Sequence, residues 1–235
     1  MKQDFEEALG TVLDLGCSAN VLLIGAPGSG RSNAARLISS AIHSKEETEF
    51  IICAQNAGEW GGQISASSPA GYVLALDAAE SERERRAGLL RLAQVDHVDR
   101  LPDPPAHLVL VVEEVESVHD LLPNPVLAKQ YRTLLRRLVC TTGAEGISLI
   151  ITTRTGGGPV FDVTMRRHFD LELFFHGVPA AVWGLSSEIE SALPTLAVST
   201  AHSLSHGATV VFPPAPAMPL LPICHVYRED LPRTA

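Results

Sequence analysis

Two clusters of residues have types and spacings that could do chemistry on a phosphate. The first is Gly25-Ala26-Pro27-Gly28-Ser29-Gly30-Arg31-Ser32, followed by Asn33. It fits the pattern G-x-x-x-x-G-[K]-[ST], with arginine where lysine usually stands. Glycines let a backbone curl so that successive N–H groups face one anion. A helix opening directly after the curl adds its positive dipole end. In such a loop Arg31 would reach the β- and γ-phosphates of a nucleotide, and the Ser32 hydroxyl would ligate Mg²⁺. The second cluster is Glu113-Glu114, at the end of the apolar run Leu108-Val109-Leu110-Val111-Val112. A buried parallel strand delivers such acids at its carboxyl end, where open α/β sheets bind ligands. Glu113 would hold the metal through water, and Glu114 would orient the attacking water.

Each cluster needs particular elements around it. Asn20-Val21-Leu22-Leu23-Ile24 reads as a buried strand feeding the glycine turn. Residues 33–42 carry Ala34, Leu37, Ile38 and Ala41 at helical spacing. Lysine is a compact point charge, whereas arginine is a longer planar fork. Arg31 therefore keeps the charge for binding but is expected to favour nucleotide binding over fast hydrolysis.

The remaining chain supplies an alternation of strands and helices. Further strands are expected at Phe50–Ala54, Tyr72–Leu76, Gly146–Arg154, Leu171–Phe175 and Ala208–Phe212, with an edge strand at Ile223–Tyr227. Residues 55–70 read as loop. Helices are expected at 2–16, 78–95, 115–121 and 123–140, with Leu134, Leu135, Leu138 and Val139 forming an apolar face on the last. Residues 178–205 read as irregular and partly helical, and the prolines between 213 and 222 as an extended connector. Glu80, Glu82, Arg83, Glu84, Arg85 and Arg86 read as a solvated helix face with a Glu82–Arg86 pair. Gly156-Gly157-Gly158-Pro159 is expected to be a mobile loop. This alternation predicts an α/β fold with a mostly parallel central sheet flanked by helices, and antiparallel strands toward the C-terminal edge. The expected parts are an N-terminal helix in 1–19, a nucleotide-binding core over 20–176 and an extension over 177–235, all in one domain.

Composition limits the partners. The 235 residues are 46% hydrophobic and 19% charged, with net charge −9. That balance argues against a wholly basic nucleic-acid-coating surface, though not against a local basic pore. Cys17, Cys53, Cys140 and Cys224 share no metal spacing and read as free thiols of a reducing compartment. The nine histidines show no ligand spacing either. The start lacks the apolar segment of a signal peptide, and no apolar run reaches the ~18 residues of a membrane span. The expected location is cytoplasmic, with membrane association only through a partner or a missing N-terminal segment.

The order of these parts resembles the motor domain of the FtsK/SpoIIIE family, in the HerA–FtsK branch of RecA-like P-loop NTPases. The matching stretches are Val21–Ser32, Phe50–Gly62, Leu108–Val118 and Leu134–Arg154, with His206–Pro213 in the tail. The family has an A-G-[IV]-H turn and a strand ending A-T-Q-R-P. Here Ala144-Glu145-Gly146-Ile147-Ser148 and Ile151-Thr152-Thr153-Arg154 stand in those places. The resemblance implies ATP with Mg²⁺, bound by Gly25 to Asn33 with Ser32 and Glu113 at the metal. It implies Glu114, Arg31 and Thr153 as the catalytic positions, with Thr153 as γ-phosphate sensor. It implies a ring of like protomers or docking onto sister ATPase domains, with an arginine supplied by a neighbour. Arg132, Arg136, Arg154, Arg166 and Arg167 are the candidates for that arginine. The family's lysine, magnesium aspartate and sensor glutamine are replaced by Arg31, Glu113 and Thr153, which implies impaired hydrolysis. Weakened sites of this kind are similar to the later ATPase domains of EccC, the type VII secretion motor. Three functions follow: a DNA-translocating module, a module that receives a protein partner or secretion-substrate peptide, and a structural pseudo-ATPase.

Overall fold

The computed structural model describes residues 20–174, apart from 28, 45–46, 56–59, 61–64, 157 and 162, together with 202–204 and 207–211. The expected helix at 2–16, the strand at 223–227 and the proline connector lie outside the described residues, as do Cys17 and Cys224.

Seven strands form one sheet in the order β2-β3-β4-β1-β5-β7-β6. They are β1 (Val21–Ile24), β2 (Thr48–Cys53), β3 (His107–Val112), β4 (Ile147–Thr153), β5 (Leu171–Phe174), β6 (His202–Leu204) and β7 (Gly207–Val211). All neighbours run parallel except β6, which pairs antiparallel with β7 at the edge. The expected architecture is thus observed. The strand β6 falls in a stretch expected to be irregular and partly helical.

The central strands are buried along their whole length and mostly apolar because both faces are covered, with buried polar exceptions such as Ser148, Thr152 and Thr153 of β4. Leu22, Ile24, Leu108, Leu110, Val112, Leu149 and Ile151 face one layer of helices. That layer comprises α2 (Pro69–Ala93), α3 (Val115–Asp120), α4 (Pro125–Thr141) and the short α5 (Val163–Arg166). Leu134, Leu135, Leu138 and Val139 of α4 are buried there, as the apolar spacing predicts. Val21, Leu23, Val109, Val111 and Ile150 face the other way, onto Ala34, Ala35, Ile38 and Ile42 of α1 (Arg31–His43).

The expected strand at Tyr72–Leu76 is instead part of α2. Ser68 caps that helix, its hydroxyl accepting the Gly71 N–H at 3.1 Å, and Pro69 occupies the first turn. Tyr72, Val73, Leu76 and Ala79 are buried, while Leu74 is 73% exposed. That is a helical stripe; a short apolar run does not by itself distinguish strand from helix.

The charged stretch of α2 is also not simply a solvated face. Arg86 is 1% exposed. Its Nη1 donates to the carbonyls of Glu145 and Gly146 at 3.1 Å each, and its Nη2 to that of Ala106 at 2.9 Å. Its Nε donates to Glu82 at 2.7 Å, the expected pair. Arg83 pairs with the buried Glu80 at 2.8 Å. Arg86 thereby ties α2 to the segments that enter β3 and β4.

At the start of β1, buried Asn20 ties that strand to β4 and to the segment that enters β5. Its Oδ1 accepts the Leu149 N–H at 3.1 Å, its Nδ2 donates to the His168 carbonyl at 3.2 Å, and its N–H donates to Asp170 at 2.8 Å. Parallel pairing of β4 with β1 on one side and with β3 on the other brings the carboxyl ends of the three strands to one edge.

Candidate nucleotide site

The turn after β1 leaves the strand at Gly25, whose N–H donates to the Thr153 carbonyl at 3.1 Å. Ser29 N–H closes back on the Ala26 carbonyl at 3.1 Å. Gly30 then takes a left-handed conformation, φ 100°, and opens α1 without any side-chain cap. No acidic residue lies in the first turn of α1. The N–H groups of that turn therefore face outward as an anion-attracting end. The Ser29 hydroxyl is buried there without a hydrogen-bond partner. Ser32 is half-buried in the first turn, and Asn33 accepts a hydrogen bond from Arg36. Ala26 is half-buried and Pro27 exposed, while Gly28 lies outside the described residues.

Arg31 is 4% exposed. Its Nη2 donates to Glu114 Oε1, and its Nη1 is buried without a partner. Burial is the largest influence on the guanidinium and lowers its pKa, opposed by the nearby charge of Glu114.

Glu113 and Glu114 follow β3. Glu113 is 6% exposed, and its N–H donates to the Cys53 carbonyl at 2.9 Å, prolonging the β2–β3 ladder. Glu114 is left-handed, φ 54° and ψ 48°, a conformation costly for a non-glycine residue. Its N–H is held by Thr152 Oγ1 at 2.9 Å. Its Oε2 accepts Arg154 Nε at 2.9 Å, so one carboxylate bridges two guanidiniums.

Thr153 is fully buried. Its hydroxyl donates to Glu116 Oε1 and accepts the Gly156 N–H at 2.9 Å. Glu116 also accepts the backbone N–H of Arg154 at 3.2 Å and that of Thr155 at 3.3 Å. Gly156 has φ +62°, and a Cβ there would stand 2.8 Å from Ile24 Cδ1. Only glycine lets the loop lie against β1 in this way. The glycine run, expected to be a mobile loop, thus begins with a buried and tethered residue.

The sheet therefore brings Arg31, Glu114, Thr153 and Arg154 to one place, with Glu113 beside them. Glu116 and Arg154 extend the reading from sequence. Their signal was weak, because Glu116 reaches the loop 37 residues later only through the β3–β4 adjacency. Of the other arginines considered, Arg166 is bonded to Glu172 at 2.9 and 2.6 Å within its own chain. Arg132, Arg136 and Arg167 are exposed.

The donor set suits a hard divalent cation: a serine hydroxyl on α1 and a buried carboxylate at the end of β3. Among the described residues no group of three or more His, Cys, Asp or Glu side chains could hold a metal alone. A metal held by Ser32 and Glu113 would complete its coordination with phosphate oxygens and water, as Mg²⁺ commonly does. Among the described residues no helix is long and apolar enough to cross a membrane.

No family model and no curated protein matches the chain. Solved structures do. The pCW3 conjugation coupling protein TcpA, in its monomer form with ATPγS, superposes with a TM-score of 0.61 at 14% identity, over 71% of this chain and 51% of its own. The cytoplasmic domain of EssC superposes with a TM-score of 0.59 at 12% identity, over 92% of this chain and 44% of its own. The cytoplasmic domain of the Thermomonospora curvata type VII secretion ATPase EccC gives a TM-score of 0.54 at 14% identity, over 74% and 22%. The chain thus spans about half, or less, of the length of each of these structures. At these identities the likeness is one of fold, the RecA-like α/β fold that the sequence leads one to expect.

Proposed function

We propose that the chain is an ATP-binding module of an FtsK/SpoIIIE-type motor, working in an oligomer and moving double-stranded DNA, with slowed hydrolysis. The observation that carries this reading is the meeting of an uncapped helix end, the buried guanidinium of Arg31 and the carboxylates of Glu113 and Glu114 at the carboxyl ends of β1 and β3. The outward N–H groups of the loop and of α1 bind the phosphates, and Arg31 adds a charge-assisted contact. Ser32 and Glu113 would hold Mg²⁺, which neutralises phosphate charge. Glu114 orients water for attack on the terminal phosphorus once its oxygens are released from the arginines. Thr153 acts here by positioning, because its hydroxyl already serves Glu116 and Gly156.

A second reading has a specific observation in its favour. Net charge −9 and an arginine in the loop suit a degenerate ATPase domain of a type VII secretion motor, which binds a protein partner or substrate peptide. One experiment separates the two: steady-state ATP hydrolysis with and without double-stranded DNA, with Glu114→Gln as blank. DNA-stimulated turnover that falls with salt and vanishes in Glu114→Gln supports the DNA motor. ATP binding with no turnover and no DNA binding at ~50 mM salt overturns it in favour of the second reading.

A further inference from the structure

Arg31 and Arg154 are the two guanidiniums on Glu114, one on each carboxylate oxygen. They come from different elements: Arg31 opens α1, and Arg154 follows β4. Arg31 stands at a helix end that carries neither a side-chain cap nor an acid in its first turn, and Arg154 is joined to Arg31 through Glu114. Arg31 is 4% exposed and still has an unpartnered nitrogen, Nη1. A buried guanidinium needs acceptors on its whole fork, and here part of the fork has none. The backbone N–H of Arg154 is fixed on Glu116 at 3.2 Å, while its side chain is about half exposed. The base of that side chain is therefore anchored and its tip is free to exchange partners. Glu114, for its part, is held in a left-handed conformation that its contacts maintain.

A guanidinium receives a carboxylate and a phosphate through the same N–H···O geometry. We infer that Arg31 and Arg154 together form the seat of the nucleotide's terminal phosphate, and that Glu114 occupies this seat until the nucleotide arrives. The inference rests on the nucleotide reading and deepens it. Arg154 becomes a phosphate-binding residue of its own protomer, in place of a finger offered to a neighbour. The terminal phosphate displaces a carboxylate from two cations, so binding and the release of Glu114 are one event. A diphosphate, which lacks the group that reaches Arg154, leaves Glu114 in place.

The test is equilibrium binding of Mg²⁺–ATPγS and Mg²⁺–ADP to the full chain and its variants. Wild type is expected to bind ATPγS more tightly than ADP. Arg154→Ala is expected to cut that preference roughly tenfold, the scale of a lost charge-assisted contact, with ADP affinity within about twofold of wild type. Retained ADP binding also shows that the variant folds. Glu114→Gln is expected to tighten ATPγS several-fold, because the competing anion is gone. An unchanged ATPγS preference in Arg154→Ala, or weaker ATPγS binding in Glu114→Gln, overturns the assignment while leaving the nucleotide reading intact. Wild type that binds neither nucleotide overturns both.

Discussion

Arg31 Nη2 donates to Glu114 Oε1, which joins the cation of the phosphate loop directly to the acid at the end of β3. Sequence alone gave these residues separate tasks, one for phosphate and one for water. In the folded chain neither can change partner without affecting the other.

Removal of the cation is the simplest consequence to measure. Arg31→Ala is expected to weaken ATP binding by at least about tenfold by calorimetry, the scale of a hydrogen bond to a charged group. Arg31→Lys keeps the charge but not the fork. It is expected to loosen Glu114, hold ATP affinity near wild type and raise turnover. A fall in affinity would mean that the fork itself, and not only its charge, is needed.

Arg86 offers a stability test remote from the site. Replacing it with alanine strands the carbonyls of Ala106, Glu145 and Gly146 in the interior. The expected loss is about 3–5 kcal/mol in urea unfolding. Arg85 pairs with Glu82 on the surface, and Arg85→Ala is expected to cost no more than about 0.5 kcal/mol. Equal losses in the two variants would refute the role given to Arg86.

Glu82 gives a pH signature. Hydrogen bonding from Arg85, followed by that from Arg86, lowers its pKa from 4.5 to about 2, against the opposing effect of burial. A depressed folded pKa means that the carboxylate contributes its stability above 4.5 and loses it as pH falls toward about 2. Unfolding midpoints taken across that window should decline less steeply in Glu82→Gln. Parallel curves would remove Glu82 from acid denaturation.

Cys53 is expected to resist alkylation. It is fully buried at the end of β2, and burial pushes its thiol up to about 12, so essentially no thiolate exists at neutral pH. Iodoacetamide followed by peptide mass mapping should leave Cys53 unmodified in the native protein and label it after unfolding. Labelling at the rate of an exposed thiol would contradict its burial.

Much of this was legible from short-range patterns. The glycine turn, its flanking strand and helix, and the acids after Leu108–Val112 each declare themselves within about a dozen residues. The loss at Tyr72–Leu76 came from reading apolar content without its start signal. Ser68 and Pro69 marked a helix entrance, and Leu74 breaks the buried stripe at a helical interval. The roles of Arg86, Glu116 and Arg154 could not be read locally. Arg86 reaches carbonyls 59 and 60 residues away, and Glu116 and Arg154 meet only because β3 and β4 are neighbours. Charge spacing along one helix reveals the pairs on its own surface, not those made across the layer.

The position of β4 between β1 and β3 has a mechanical consequence. Ile151 is in register with Leu22 on one side and with Val112 on the other. A tug on the chain beyond Thr153 is therefore carried as shear by two parallel ladders at once. Such a load must break many hydrogen bonds together before the strand slides, so β4 acts as a tie rod and not as a hinge. Any force generated at the loop beyond it reaches the glycine turn and the acids in the same stroke.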